Sequence, residues 1–255
     1  MSSLFVLLFF VDELGSLNWV ETWWAFKNSV VQAFFSTVLT LVLGFVVAFG
    51  LIRIPEKRIV IVSAATILCL FPQFVPNVIS LVGILNGLQP FPMGTIGVVI
   101  VHVFLNFGLA AILLQNQMRA TWSSTLDVSR TLGVSRWSYI RSIGLPLLRN
   151  DFLLMGIFFF SQFFTSFSVP LIVGGGRGTT LEVLIYEKMR LSSDWSAAAY
   201  LAWLQALFIL ALSILTWKSR AQTTTREADL RWLGSYLGLV PLVLLMAGFL
   251  AAYGS

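Results

Sequence analysis

The sequence has a single cysteine, a single histidine and few charged residues among its 255 positions. A disulfide framework, a zinc cluster or a Cys–His dyad on separate elements cannot be argued from single residues that lie within apolar runs. We interpret Cys69 as a small buried hydrophobe. His102 is interpreted as a hydrogen-bonded packing residue, although ionisable groups inside apolar segments are often functional. We therefore predict no catalytic residue, no metal site and no cofactor.

The scarcity of charge points to the class of protein. Only 11% of the residues are charged and 58% are hydrophobic, whereas a soluble domain carries roughly a quarter charged residues. The net charge of +5 does not indicate nucleic-acid binding, because the charges occur in short loops between apolar blocks. The composition predicts an all-α, multi-pass membrane protein whose surroundings are a lipid bilayer.

Apolar runs long enough to cross a bilayer, about 20 residues each, divide the chain. Residues 1–28 are interpreted as a short N-terminal stub followed by an interfacial, extracytoplasmic segment rich in tryptophan. Residues 29–217 are expected to form the transmembrane domain, and residues 218–255 a linker with one extra transmembrane helix. Pro72 and Pro76 predict a kink in the second span. About six spans are predicted, at 29–52, 59–85, 95–115, 152–173, 198–217 and 232–253.

The distribution of basic residues predicts the orientation of these spans. Twelve of the sixteen Lys and Arg residues fall in the loops on one side, and cytoplasmic loops carry such an excess. The loop at 118–151 is on that side, so it is expected to be cytoplasmic. The twelve residues are Arg53, Lys57, Arg58, Arg119, Arg130, Arg136, Arg141, Arg149, Lys218, Arg220, Arg226 and Arg231.

The 118–151 loop has the local chemistry of two short helices joined by a bend. Ser124 and Asp127 are spaced as a capping box and predict the start of the first helix. Gly133 is placed to end it in the left-handed conformation, and Ser135 to cap the second. Pro146 cannot continue that second helix but suits the first turn of the next one.

The apolar residues of the second short helix recur at spacings of three. Trp137, Ile140 and Ile143 therefore share one face, which is expected to need burial against a partner. An alternative is that this amphipathic pair merely lies on lipid head groups and connects two spans.

The full spacing of the loop favours a more specific interpretation. It resembles the E-A-A-x(3)-G-x(9)-I-x-L-P signature of permease subunits of binding-protein-dependent ABC importers of type I. Asp127, Val128 and Ser129 stand at the E-A-A positions, with Asp replacing Glu, and the remaining signature positions match in identity and spacing. The resemblance implies that this EAA-like loop contacts an ATPase subunit through Asp127, Val128, Ser129, Gly133, Trp137, Ile143, Leu145 and Pro146.

That family resemblance also implies an assembly in a bacterial inner membrane. Two permease halves, homologous chains or two copies of one chain, would form the pathway, and an extracytoplasmic binding protein would deliver the substrate. Separate ATPase subunits would hydrolyse ATP, so this chain is not expected to be an enzyme. A secondary transporter subunit and a non-transporting membrane scaffold are the alternatives, and inverted repeats with embedded ionisable groups would favour the former.

A glycine run at 174–178 opens a second region of resemblance. It cannot be a phosphate-binding loop, because Thr179 and Thr180 follow Gly178 where that motif needs a lysine. The segment 174–190, with Asp194 and the alanines 197–199, resembles the branch that includes thiamine and ferric-iron permeases. Two halves are usually fused in that branch, so this chain is expected to correspond to one half, with 232–253 resembling the opening helix of a second.

Polar side chains within the predicted spans form the remaining candidate site. Each one taken alone is better explained by a hydrogen bond between helices, but together they predict a weakly polar translocation pathway with few fixed charges. These residues are Gln73, Asn77, Asn106, Ser161, Gln162, Thr165 and Ser166.

Overall fold

The computed structural model describes residues 18–55, 59–74, 85, 90–176, 178–215, 230–244 and 247. These residues form helices and no strand, which confirms the all-α prediction. The helices are α1 (Trp19–Arg53), α2 (Ile59–Phe74), α3 (Thr95–Thr131), α4 (Arg136–Tyr139), α5 (Leu145–Phe164), α6 (Ser168–Val173), α7 (Leu181–Arg190) and α8 (Trp195–Leu215). A π-helical turn at Ile140–Gly144 joins α4 to α5, and 3-10 helices lie at Leu230–Trp232 and Tyr236–Leu239.

Within the described residues, four helical segments are long and apolar enough to cross a membrane, namely Trp19–Arg53, Thr95–Ser123, Arg136–Phe164 and Trp195–Ile214. A shorter apolar helix, Ile59–Gln73, covers the first part of the predicted second span. Pro72 lies inside that helix, whereas Pro76 is outside the described residues. The number of six spans stays a prediction.

The first span begins earlier than the hydropathy pattern predicts. Helix α1 starts at Trp19 and not at residue 29. The side chain of Asn18 accepts from the backbone amides of Val20 (3.1 Å) and Glu21 (3.4 Å). An asparagine at this position satisfies amides that have no partner within the helix, so the tryptophan-rich stretch belongs to the helix itself.

Two predicted spans have incorrect boundaries. The predicted span at 152–173 is broken, because α5 ends at Phe164 and α6 begins at Ser168. Pro170 would collide with a helical carbonyl four residues earlier, but it fits within the first turn of α6. The predicted span at 232–253 does not start as a helix, because Ser235 is extended between the two 3-10 helices. Its last part, 248–253, is outside the described residues.

The chain divides into two compact units. The first comprises the described parts of Met1–Ser36, Pro90–Val101 and Ile157–Trp217. Its core is aromatic: Phe26 and Phe208 contact edge-on with ring centroids 5.1 Å apart, and both contact the fully buried Phe164. Helix α7 packs against α8 in this unit, and the Gln205 amide donates to the Glu182 carboxylate at 2.8 Å.

The second unit comprises the described parts of Thr37–Gln89, His102–Gly156 and Lys218–Ser255. Its core brings Cys69 together with apolar residues of α1, α3 and the 240–244 helical turn, which confirms that this thiol is a buried packing residue. Glycine permits close helix contacts here. A Cβ on Gly44 would lie 2.7 Å from the Ala110 Cβ, and one on Gly108 would collide with the Cys69 carbonyl.

Candidate functional site

The EAA-like loop begins as the continuation of a long helix. Helix α3 runs unbroken from Thr95 to Thr131, so the predicted helix start at Ser124 is wrong. Met118, Trp122 and Leu126 recur at spacings of four and are all fully buried. Because residues four apart share one helix face, these side chains extend the packed face of α3 beyond the apolar run.

Gly133 ends α3 as predicted. Its φ of 71° is left-handed. The Gly133 amide donates to the Arg130 carbonyl at 3.0 Å, and the Val134 amide donates to the Ser129 carbonyl at 3.0 Å. This pair of bonds is the Schellman motif, in which a glycine at C′ turns the chain sharply away from the helix axis. The predicted bend at Gly133 is therefore confirmed.

The second short helix starts as predicted but ends differently. Ser135 caps α4, and its hydroxyl accepts from the Ser138 amide at 3.3 Å. The chain does not break before Pro146, because the π-helical turn Ile140–Gly144 leads directly into α5. Pro146 is the second residue of α5, in its first turn as expected. The wider turn has the Leu145 amide donating to the Ile140 carbonyl, a five-residue spacing typical of a π-bulge.

Two buried aromatic residues hold the loop together. The indole Nε1–H of Trp122 donates to the Gly144 carbonyl at 3.0 Å. The Tyr139 hydroxyl lies 2.8 Å from the Thr125 hydroxyl, and its ring meets the Trp122 ring edge-on at 5.9 Å. Both aromatic side chains are fully buried. The segments before and after the bend are thus fixed to each other by side chains on α3 and α4.

Sequence reasoning did not identify this aromatic pair. Trp137, which was predicted to be buried against a partner, is 71% exposed in the single chain, whereas Tyr139 two residues later is buried within it. The signal that could have found the pair is the presence of Trp122 and Tyr139, both large aromatics with a polar atom, in an otherwise polar segment.

Most of the positions that match the EAA signature are accessible. Ser129 is the buried exception, and its hydroxyl donates to the Thr125 carbonyl at 2.8 Å. Ile143 is half-buried. The bend also exposes large apolar side chains, with Leu132 75% exposed and Val128 59% exposed. The exposed matched positions are Asp127, Val128, Gly133, Leu145 and Pro146, and Trp137, which lies between matched positions, is exposed as well.

The structure brings together some of the predicted pathway residues. In the second unit, the Gln73 amide donates to the Asn106 side-chain carbonyl at 3.1 Å and to the Leu105 backbone carbonyl at 3.0 Å. The Asn106 amide donates to the carbonyl of His102, whose side chain is also buried. These contacts form a short polar chain between α2 and α3. Asn77, which was predicted to join this set, is outside the described residues.

The other predicted pathway residues lie in the first unit, at the end of α5 and just after it. The Thr165 hydroxyl donates back to the Ser161 carbonyl at 2.9 Å. Gln162 is exposed, and Ser161 and Ser166 are half-buried. A buried glutamine of α1, Gln32, donates from its amide to the Phe163 carbonyl at 3.1 Å near the end of α5.

The glycine segment forms a turn and leads into a helix that is tied to α1. Gly175 and Gly176 both have positive φ, and the Gly178 amide donates to the Gly174 carbonyl at 3.1 Å. At the start of α7, the Leu181 amide donates to the Ser29 hydroxyl at 2.8 Å. Near its end, Lys188 forms a 2.8 Å ion pair with Glu21. The sequence pattern did not reveal these contacts.

The sequence is similar to those of known transport permeases. No protein-family model matches the sequence. The thiamine transport system permease protein ThiP of Salmonella typhimurium is 30% identical over 212 residues, which covers 76% of this chain and 39% of that protein. ThiP of Haemophilus influenzae is 29% identical and covers 83% of this chain and 45% of that protein. The molybdenum transport system permease protein ModB of Azotobacter vinelandii is 27% identical, with 77% of this chain and 93% of that protein covered.

Solved structures show the same fold. A bacterial alginate ABC transporter in complex with an alginate pentasaccharide-bound periplasmic protein superposes with a TM-score of 0.66 at 14% identity, covering 84% of this chain and 85% of that one. A second structure of a bacterial ABC transporter involved in alginate import superposes with a TM-score of 0.64 at 12% identity, covering 84% and 86% of the two chains. The chain thus shares its fold with chains of these two ABC transporters, and its sequence is similar to thiamine and molybdenum transport permeases.

The chain matches these thiamine permeases over part of their length. It spans about two fifths of the thiamine permeases, at 39% and 45% of the two proteins above, but nearly the full length of the molybdenum permease, at 93%. A match of this extent fits the prediction that the chain corresponds to one half of a fused thiamine-type permease. In this chain the signature positions 127–146 surround the bend and the π-helical turn described above.

Proposed function

We propose that this chain is the transmembrane permease subunit of an ABC importer, where it forms half of the substrate pathway. Its EAA-like loop docks on an ATPase subunit, which hydrolyses ATP and moves the permease through this contact. The observation that carries the proposal is the bend at Gly133, which presents Asp127, Val128 and Trp137 to the outside while Trp122 and Tyr139 hold it rigidly from within.

The exposed apolar side chains support a protein partner at this bend. Leu132 and Trp137 are 75% and 71% exposed, and Arg130 and Arg136 are exposed beside them. Exposed aromatic and aliphatic residues flanked by charges are typical of contact surfaces. A rigid segment transmits a displacement of its partner to α5, because the π-helical turn continues into that helix.

The remaining partners are supported by the sequence resemblance, and the orientation by the excess of basic residues on one side. The loop faces the cytoplasm of a bacterial inner membrane, a second permease half completes the pathway, and an extracytoplasmic binding protein delivers the substrate. The polar residues that the sequence predicts for the pathway are the candidates, namely Gln73, Asn77, Asn106, Ser161, Gln162, Thr165 and Ser166. Uncharged donors and acceptors of this kind let a polar solute pass without binding it tightly.

Thiamine is the substrate we propose. Relatives that cover most of this chain are thiamine transport permeases, and the glycine segment with α7 resembles that branch. Ferric iron is the second substrate implied by the same sequence resemblance. A binding protein that co-purifies with this chain, analysed for its bound ligand, distinguishes the two.

Replacing Gly133 with leucine tests the coupling proposal. Leucine is strained at a φ of 71°, so we expect the variant to insert into the membrane but to lose the stimulation of ATP hydrolysis that accompanies uptake. The measurement is ATPase activity and thiamine uptake in vesicles that hold the permease halves, the nucleotide-binding subunit and the binding protein.

Gly94→Leu is the matched control. Gly94 also has positive φ and open space around its Cα, but it lies outside the EAA-like loop. Normal coupled uptake by Gly133→Leu would refute the assignment. Co-purification with the nucleotide-binding subunit, and its loss when Asp127 and Gly133 are both replaced, separates an ABC permease from a secondary transporter or a scaffold.

A further inference from the structure

The segment 230–244 folds back onto the Arg53 end of α1. The Ser235 amide donates to the Phe49 carbonyl at 3.1 Å. The Arg53 guanidinium donates to the Arg231 carbonyl at 2.9 Å and lies 5.4 Å from the centre of the Tyr236 ring. These contacts fix the segment, which we call the strap, to the last turn of α1.

Glycines bring the two backbones into direct contact. A Cβ on Gly238 would collide with the Val46 carbonyl and lie 2.6 Å from the Gly50 amide nitrogen. A Cβ on Gly50 would lie 2.7 Å from the Gly238 carbonyl carbon, and one on Gly234 would lie 2.8 Å from the Arg53 amide nitrogen. Because these are backbone atoms, they have no rotamer with which to move aside. Small residues at such positions allow close helix packing inside a membrane protein.

Residues of the strap also belong to the hydrophobic core of the second unit. Leu242 belongs to the cluster that contains Val47, Leu51, Cys69 and Phe107. Leu230 and Leu233 are also buried. A segment that supplies core residues is held by burial of apolar surface in addition to its hydrogen bonds.

Phe49, which the strap contacts, also contacts a residue of the EAA-like loop. Phe49, whose carbonyl accepts from Ser235, has its ring 6.0 Å from the ring of Trp122. Trp122 donates to the Gly144 carbonyl and meets Tyr139 edge-on. All of these residues lie in the second unit. The contacts therefore run without interruption from the strap through α1 to both sides of the bend.

We propose that the strap is a positioning element that sets the placement of Trp122, and through it the placement of the EAA-like loop. Gly50, Gly238 and Arg53 are its positioning residues. The sequence resemblance assigned part of this region to the opening of a second permease half, whereas its contacts here are with the half that carries the EAA-like loop. The effect of the strap on coupling rests on the proposed function, whereas its effect on the position of Trp122 does not.

The test reads the environment of Trp122 directly. The full chain is labelled with 5-fluorotryptophan in lipid nanodiscs, and the Trp122 fluorine resonance is assigned from Trp122→Phe. Gly238→Ala inserts a methyl group where the Val46 and Gly50 backbones lie, so we expect the Trp122 resonance to move by more than its linewidth. Gly156→Ala is the control, because its Cβ would have Leu41 at 3.9 Å as its nearest neighbour, and it should leave the resonance in place.

A second variant covers the case in which Gly238→Ala does not accumulate. Arg53→Ala removes the hydrogen bond to Arg231 and the contact with Tyr236 without adding bulk, and we expect a smaller shift of the same resonance. A Trp122 resonance that stays at its native position in the folded variants would overturn the proposal. Because no ATPase or substrate is present, that result would leave the proposed importer function untouched, and loss of coupled uptake in Gly133→Leu would not depend on it.

Discussion

Replacing Gly133 with alanine isolates the energetic contribution of a single backbone angle. No atom lies within 4 Å of the Cβ that alanine would add, so the substitution introduces no collision. What remains is the left-handed conformation, which costs a non-glycine residue about 1–2 kcal/mol. The Schellman bonds of Gly133 and Val134 hold the residue at this φ, so the strain should appear as local opening of the last turn of α3.

Hydrogen exchange at the Val134 amide measures that opening. In the native chain this amide donates to the Ser129 carbonyl. A cost of about 1–2 kcal/mol should raise its exchange rate by a factor of about 5–30. Because the strain is confined to the turn, amides in the middle of α3 should exchange at the native rate.

Gly133→Asn is the matched variant. Asparagine also adds a Cβ, but it adopts the left-handed conformation more readily than alanine does, so its exchange rate should lie between those of glycine and alanine. Equal protection of Val134 in all three proteins would show that the bend is held by other contacts, and the argument from φ would be wrong.

Two further substitutions test other parts of the chain. Trp122→Phe removes the donor to the buried Gly144 carbonyl. We expect the free energy of unfolding, measured by reversible unfolding of the purified protein, to fall by about 1–3 kcal/mol. An unchanged free energy of unfolding would refute the role of this bond. Ser193 lies in the turn before α8 with a φ of 54°. Replacing it with glycine should raise the free energy of unfolding by about 0.5–1 kcal/mol. A lower thermal midpoint for Ser193→Gly than for the native protein would contradict this.

The features that sequence reasoning predicted correctly depend on few neighbouring residues. The left-handed residue at Gly133 and the cap at Ser135 are set by the chemistry of a glycine and a hydroxyl next to a helix end. The all-α class follows from composition, because a bilayer leaves helices or closed barrels as the spanning structures.

The features that it missed depend on contacts between distant positions. Ser124 has the chemistry of a helix start, but the buried face formed by Met118, Trp122 and Leu126 keeps α3 continuous through it. Ser29 accepts from Leu181, which is 152 residues away in the sequence. Local propensity cannot anticipate either result, since tertiary packing overrides it.

The same difference between local and distant determinants applies to the predicted site residues. The EAA-like positions were identified by a fixed spacing within one loop, and the structure places them around one bend. The pathway residues were chosen for polarity alone, and the structure pairs Gln73 with Asn106 but has Thr165 bonded back to its own helix. Polarity inside an apolar run does not state which way a side chain faces.

The π-helical turn Ile140–Gly144 has a consequence for insertions and deletions in this region. A π-bulge accommodates one residue more than an α-helix over the same rise, and each residue of an α-helix accounts for about 100° of rotation. Removing one residue from 140–144 would restore a regular helix and leave the direction of the bend unchanged, because the wide turn absorbs that residue. Removing one residue from the regular part of α5 would instead turn Trp137 and the bend by about 100° around the helix axis. This single turn is therefore the place where the helix tolerates the loss of one residue without a change in the direction of the loop.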